Sequence, residues 1–258
     1  MVVRGHDRPT TREMTIKPPH RLFVAVDTPD LDAALAMTDG LKGAAGLGIK
    51  LGLEFFGAHG PAGVKAVTER VGAGTIFLDL KFHDIPNTVA GAIRAVVPLA
   101  PAVVNVHASG GPTMMRAAAA AATEAAAKAG VARPAVLAVT VLTSMDESDL
   151  SAVGQTGAPE EQVVRLAKLA QECGMDGVVC SAREIAPIRA ACGADFLLVV
   201  PGIRPAGSQV GDQKRVLTPA EAVKAGASSL VVGRPITQAA EPRQAAAAIL
   251  EEANAAAQ

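Results

Sequence analysis

Thr75-Ile-Phe-Leu-Asp79-Leu-Lys81-Phe-His83-Asp84-Ile-Pro86-Asn87-Thr88 begins apolar and turns polar. Thr75 to Leu78 reads as the start of a buried strand. Charge then enters the run. Asp79 and Lys81 are two residues apart, and strand side chains alternate faces, so the two point the same way. Asp84 follows at the strand's end. Pro86 suits the first turn of a helix, and Val89, Ala92, Ile93, Val96 and Val97 then recur at helical spacing. A buried ion pair is often no better for stability than apolar residues. By itself the string therefore fits a salt bridge closing one end of a barrel as well as it fits a catalytic array.

Working outward, seven further short β-rich runs appear, each followed by a helical pattern. They are Leu22-Phe-Val-Ala-Val26, Gly48-Ile-Lys50-Leu51, Pro101-Ala-Val-Val-Asn-Val106, Ala135-Val-Leu-Ala-Val139, Gly177-Val-Val-Cys180, Phe196-Leu-Leu-Val-Val200 and Ser229-Leu-Val-Val232. Helices are predicted over 31–43 with Asp30 as N-cap, 60–71, 112–128, 146–152, 160–173, 183–192, 219–225 with Thr218 as cap, and 241–256. Parallel strands need crossovers, and eight strand–helix units close into a (β/α)8 barrel. An open doubly wound sheet would carry a Gly-rich loop after its first strand, and Asp27-Thr-Pro-Asp is not one. The expected organisation is a single barrel domain over 21–258, preceded by a disordered extension over 1–20.

Composition narrows the function. The chain has 258 residues, 50% hydrophobic, a formal net charge of -1 and a pI near 6.5. No basic block marks a nucleic-acid footprint. With no Trp, no Tyr and six Phe, stacking platforms for single-stranded nucleic acid are lacking. No apolar run approaches the roughly 18 residues of a membrane span. Met1 to His20 has no apolar signal-peptide core, and Asp7 and Glu13 interrupt its basic residues. Cys173, Cys180 and Cys192 form no CxxC pair, which points away from a disulfide framework or a zinc site and toward core or helix-face packing in a reducing compartment; the expected location is the cytoplasm.

Active sites of such barrels lie at the C-terminal ends of the strands. There the sequence places Asp27, Lys50, Asp79, Lys81, Asp84, His107, Thr143, Ser144, Arg204 and Arg234. Lys50, Asp79, Lys81 and Asp84 alternate in charge. Nearby anions favour an ammonium, so Lys81 is expected to be a charged proton donor. A Schiff-base lysine would want apolar or cationic surroundings. Gly202, Arg204, Gly233 and Arg234 follow strands seven and eight, where barrels bind phosphate. Thr143, Ser144 and Gln213 offer hydroxyls and an amide to the rim. His107 reads as a structural hydrogen-bonding residue, because no second carboxylate is paired with it.

These strings resemble the orotidine 5′-phosphate decarboxylase family in its bacterial form. The resemblance rests on Phe-Val-Ala-Val-Asp27, Ile-Lys50-Leu-Gly, Asp79-Leu-Lys81-Phe-His-Asp84-Ile-Pro-Asn-Thr88, Val-Asn-Val-His107-Ala, Thr-Val-Leu-Thr143-Ser, Pro-Gly-Ile-Arg204-Pro and Val-Val-Gly233-Arg234-Pro, in that order. It implies a homodimeric barrel that converts orotidine 5′-phosphate to UMP and CO2 with no metal or organic cofactor. It also implies roles: Asp27 and Lys50 on the ribose hydroxyls, Asp79 facing the departing carboxylate, and Lys81 protonating C6. Asp84 and Thr88 would complete the neighbouring subunit's site. Thr143 or Ser144 would meet the pyrimidine edge, and Arg204, Gln213, Gly233 and Arg234 would hold the phosphate. The segment 201–213 would serve as a lid over it. Magnesium-dependent sugar-phosphate decarboxylases and hexulose-phosphate synthases share the Asp-x-Lys-x-x-Asp string and are the competing enzyme class. A nucleotide-binding barrel without turnover is the competing non-enzyme.

Overall fold

A computed structural model describes residues 20–155, 157–205 and 217–257. The expected extension over 1–20, apart from His20, lies outside the described residues, as do Gln213 and most of the expected lid segment.

Eight parallel strands close into a barrel in sequence order. They are β1 (Leu22–Ala25), β2 (Leu47–Leu51), β3 (Ile76–Phe82), β4 (Val103–His107), β5 (Ala135–Val139), β6 (Gly177–Val179), β7 (Leu197–Pro201) and β8 (Ser229–Val232). β1 pairs with both β2 and β8, which completes the ring. Around it run α1 (Leu31–Leu41), α2 (Leu53–Val71), α3 (Pro86–Val96), α4 (Gly111–Ala129), the short α5 (Glu147–Ala152), α6 (Pro159–Glu172), α7 (Ile185–Cys192), α8 (Pro219–Ala225), the four-residue α9 (Arg234–Thr237) and α10 (Pro242–Ala255). Asp30 accepts the Ala33 N–H at 3.0 Å and Thr218 accepts the Glu221 N–H at 3.2 Å, so both expected caps are in place. None of the described helices is long and apolar enough to cross a membrane.

Strand alternation separates two cores. One face of each strand packs on the helices: Leu22, Val24, Ile49, Leu78, Val104, Val136 and Leu198 join the large outer cluster. The other face fills the barrel with Phe23, Phe77, Val103, Leu137, Leu197, Val199 and Val231. The rings of Phe23 and Phe77 meet edge-on at 5.5 Å. Gly48 gives them room, because a Cβ there would come within 2.6 Å of the Phe23 ring. Two residues further along the interior face, Phe77 gives way to Asp79 and Val103 to Asn105, while Gly48 gives way to Lys50. The apolar plug thus stops one layer below the C-terminal rim, where polar side chains replace it.

Two elements differ from the sequence expectation: the short α9 right after β8 was not expected, and α2 starts early. α2 begins at Leu53 rather than at 60, and Gly60, at φ 56°, interrupts it with a kink before Pro61. The first piece starts early because Asp27 Oδ1, from the β1 end, accepts the Phe55 N–H at 2.9 Å. A cap supplied from the end of the neighbouring strand leaves no local sign in residues 50–60.

Candidate active site

Asp79 is the centre of the rim. It is only 8% exposed, yet three donors converge on its carboxylate. Lys81 Nζ lies 2.7 Å from Oδ1, Asn105 Nδ2 donates to the same oxygen at 2.7 Å, and Lys50 Nζ sits 3.1 Å from Oδ2. Burial alone would raise the Asp79 pKa. The charges of Lys50 and Lys81, with hydrogen bonds from Lys81 and Asn105, outweigh burial and hold the carboxyl below its ordinary value. Asp79 is therefore ionised at neutral pH and anchors two ammonium groups on adjacent strands.

Lys81 does not reach this position by regular alternation, which corrects the simple strand reading. The β3–β4 register runs Phe77 with Val103 and Leu78 with Val104, then resumes at Phe82 with Val106. Asp79, Leu80 and Lys81 on β3 thus oppose Asn105 alone on β4. The extra residues are absorbed in a bulge, with Lys81 at φ 49°, in the left-handed region that non-glycine residues rarely occupy. The Lys81 backbone N–H donates to Asn105 Oδ1 at 2.8 Å.

Above this array lies a cavity of about 190 Å³. Lys50, Asp79 and Lys81 form its charged side. Val139, Val141, Val179, Pro201 and Val231 form its apolar side, and Leu142 and Thr143 its edge. Among the described residues no three His, Cys, Asp or Glu side chains group as metal ligands.

The other expected site residues lie around this rim. Asp27 is exposed, with one oxygen on the start of α2. Ser144 is exposed next to Thr143. Arg204 is buried and donates to the Ile203 carbonyl at 3.0 Å, just beyond β7. Gly202 precedes it at φ 80°. Gly233 and the exposed Arg234 follow β8. Asp84 is not brought to Lys50 or Lys81 of its own chain. It is exposed, and its Oδ1 accepts the Ile85 N–H at 2.6 Å. Thr88 is exposed on the first turn of α3. The contact found for His107 is with the His83 ring, 5.5 Å away. Burial, then the positive charges of His83 and Lys81, lower its pKa.

This geometry can be set beside known proteins. The family model described as orotidine 5′-phosphate decarboxylase / HUMPS matches residues 20–249, nearly the whole barrel. The chain belongs to that family. Within the orotidine 5′-phosphate decarboxylase / HUMPS family, a relative from Rhodospirillum rubrum is 56% identical over 240 residues, covering 93% of this chain and 95% of the relative. A relative from Moorella thermoacetica is 56% identical over 233 residues, 90% of this chain and 91% of its own. Both are named orotidine 5′-phosphate decarboxylase. The crystal structure of the enzyme of that name from Lactobacillus acidophilus matches with a TM-score of 0.80 and 37% identity, over 91% of this chain and 99% of that one. An uncharacterized conserved protein from Geobacillus kaustophilus matches at 0.77 and 38%, over 90% and 100%.

For this family member, the residue that sequence reasoning left without a role is Asn105. Its signal was present: a polar side chain inside Val103-Val104-Asn105-Val106, on the same strand face as Val103. What the pattern lacked was the bulge that gives that side chain its partners.

Proposed function

We propose that this protein decarboxylates orotidine 5′-phosphate to UMP and CO2, the last step in making UMP, without a metal or organic cofactor. The observation that carries the reading is Lys81 Nζ held 2.7 Å from ionised Asp79 at the wall of the cavity. When the C6–carboxylate bond breaks, its electron pair stays on C6, where no adjacent carbonyl delocalises it in the usual way. An ammonium fixed at that carbon stabilises the charge as it develops. It then transfers one N–H proton to C6, giving UMP, and the neutral amine is reprotonated from solvent. Asp79 faces the departing carboxylate and holds Lys81 and Lys50 in place. Lys50 and Asp27 take the ribose hydroxyls. Thr143 or Ser144 meets the pyrimidine edge. Arg204, Gln213, Gly233 and Arg234 take the phosphate, whose binding energy can be used in the transition state.

The same reading makes the protein a homodimer of the cytoplasm, with Asp84 and Thr88 of each chain completing the other's site. Two features support it. Asp84 pairs with no lysine among the described residues of its own chain. Beside it Ile85 is 67% exposed, an apolar side chain at the rim that a second chain would cover.

The family name also covers HUMPS enzymes, so the deciding assay is loss of orotidine 5′-phosphate absorbance with purified protein, with and without a chelator. Equal rates are expected. Activity that disappears with chelator and returns with magnesium would move the protein to the competing class.

Arg234→Ala is expected to weaken capture of the phosphorylated substrate by about 2 kcal/mol, the lower end for a lost charge partner because the arginine lies on the exposed rim. That is roughly a thirtyfold loss in kcat/KM. Turnover of orotidine lacking the phosphate should scarcely change. An equal loss on both substrates would take Arg234 out of phosphate binding.

A further inference from the structure

Asn105 is fully buried at the end of the apolar barrel interior, where an unpartnered amide would be costly. Its two ends are chemically committed. The Lys81 backbone N–H can only donate, so the atom facing it at 2.8 Å must be the amide oxygen. The ionised Asp79 carboxylate can only accept, so the atom facing it at 2.7 Å must be the amide nitrogen. Asp79 in turn receives Lys81 Nζ at 2.7 Å. Asn105, the Lys81 backbone, the Lys81 side chain and Asp79 therefore close a ring. At neutral pH a carboxamide supplies one acceptor and one donor on the same planar group at this reach, where an ionised carboxylate supplies acceptors only.

The ring sits where the strand ladder fails. Three residues of β3 oppose Asn105 alone, so no regular β4 partner is available to the Lys81 N–H, and its φ of 49° is held against the usual preference of a side-chain-bearing residue. The Asn105 side chain takes the place of the missing ladder partner.

We infer that Asn105 is a positioning residue for decarboxylation: it fixes the bulged backbone of Lys81 and the rotation of the Asp79 carboxylate, and so aims the Lys81 ammonium without itself touching substrate. The inference deepens the function proposed above and rests on it for its kinetic part.

Two substitutions test it. Asn105→Ala removes both bonds. It should lower kcat about 10²-fold, the scale of an ångström-sized misplacement, while KM and UMP affinity stay within about threefold, because the phosphate groups lie elsewhere and Lys50 keeps its own bond to Asp79 Oδ2. Asn105→Asp keeps the shape and the acceptor but sets a second carboxylate against Asp79. The charged groups around it are Asp79 and Lys81 on β3, Lys50 on β2, and His107 with His83 above; its β5 neighbour Leu137 is apolar. Like charges raise the pKa of one member of such a pair. Once protonated, the new carboxyl again offers one donor and one acceptor. The ratio of Asn105→Asp to wild-type kcat should therefore climb as pH falls from about 8 toward about 5. An Asn105→Ala enzyme within about twofold of wild-type kcat, or a ratio for Asn105→Asp that does not change with pH, would overturn the inference. If Asn105→Ala does not fold, the isosteric Asn105→Asp decides. A readout on the protein alone separates the two readings. In protein carrying nitrogen-labelled lysine, the Lys81 amide should lose exchange protection in Asn105→Ala, and unchanged protection counts against the inference. Wild-type protein inactive on orotidine 5′-phosphate would instead sink the proposed function, leaving amide exchange to judge Asn105.

Discussion

Lys81→Ala is expected to give a folded protein with almost no turnover, kcat falling by more than about 10³-fold, beyond the usual cost of losing one aimed donor. The expected loss is large because in the proposed mechanism the ammonium acts twice, as the charge opposite the developing carbanion and as the source of the proton. Folding should survive. Asp79 keeps Lys50 at 3.1 Å and Asn105 at 2.7 Å, so its carboxylate is not left alone in a buried site. The Lys81 backbone N–H keeps its bond to Asn105, since alanine removes only the side chain. UMP carries no charge at C6, so its affinity should change by no more than about tenfold while the rate collapses. Single-turnover decarboxylation alongside UMP titration checks both halves. Near-normal turnover in the variant would remove Lys81 from the chemistry.

The parts of the site that were legible in the sequence are those governed by the parity of a single strand. Asp79 and Lys50 stand late in their apolar strand runs, and the rule that barrel sites lie at strand C-termini put both on the rim; in the fold they follow Phe77 and Gly48 by one interior step. Lys81 was legible in identity but not in conformation. Its left-handed backbone belongs to the register between β3 and β4, and the pattern of one strand carries no register. The role of Asn105 depends on that same bulge and was hidden with it. The early start of α2 was hidden for a related reason, because its capping carboxylate, Asp27, comes from the end of β1. Arg204 and Arg234 were legible as residues after β7 and β8, since barrel topology alone puts those loops side by side.

The proposed role of Asp84 in the neighbouring chain's site is tested by mixing two dead variants. Asp79 and Lys81 are fixed to their own barrel by β3. Asp84 lies past the end of that strand, exposed, beside the exposed Ile85 and one turn before Thr88. Suppose Lys81→Ala and Asp84→Ala are each nearly inactive as homodimers. A mixed dimer then holds two unlike sites. One joins a barrel lacking Lys81 to a loop lacking Asp84 and should be dead. The other joins an intact Lys81 to an intact Asp84 from its neighbour and should work. With equal amounts and random subunit exchange, half the dimers are mixed and half their sites are complete. Activity should therefore recover to about one quarter of wild type, provided the two sites act independently. The recovery should follow the time course of subunit exchange, measured on differently tagged chains. Were verified mixed dimers to stay inactive, Asp84 would have to serve its own barrel, and the exposed rim formed by Asp84, Ile85 and Thr88 would need another explanation.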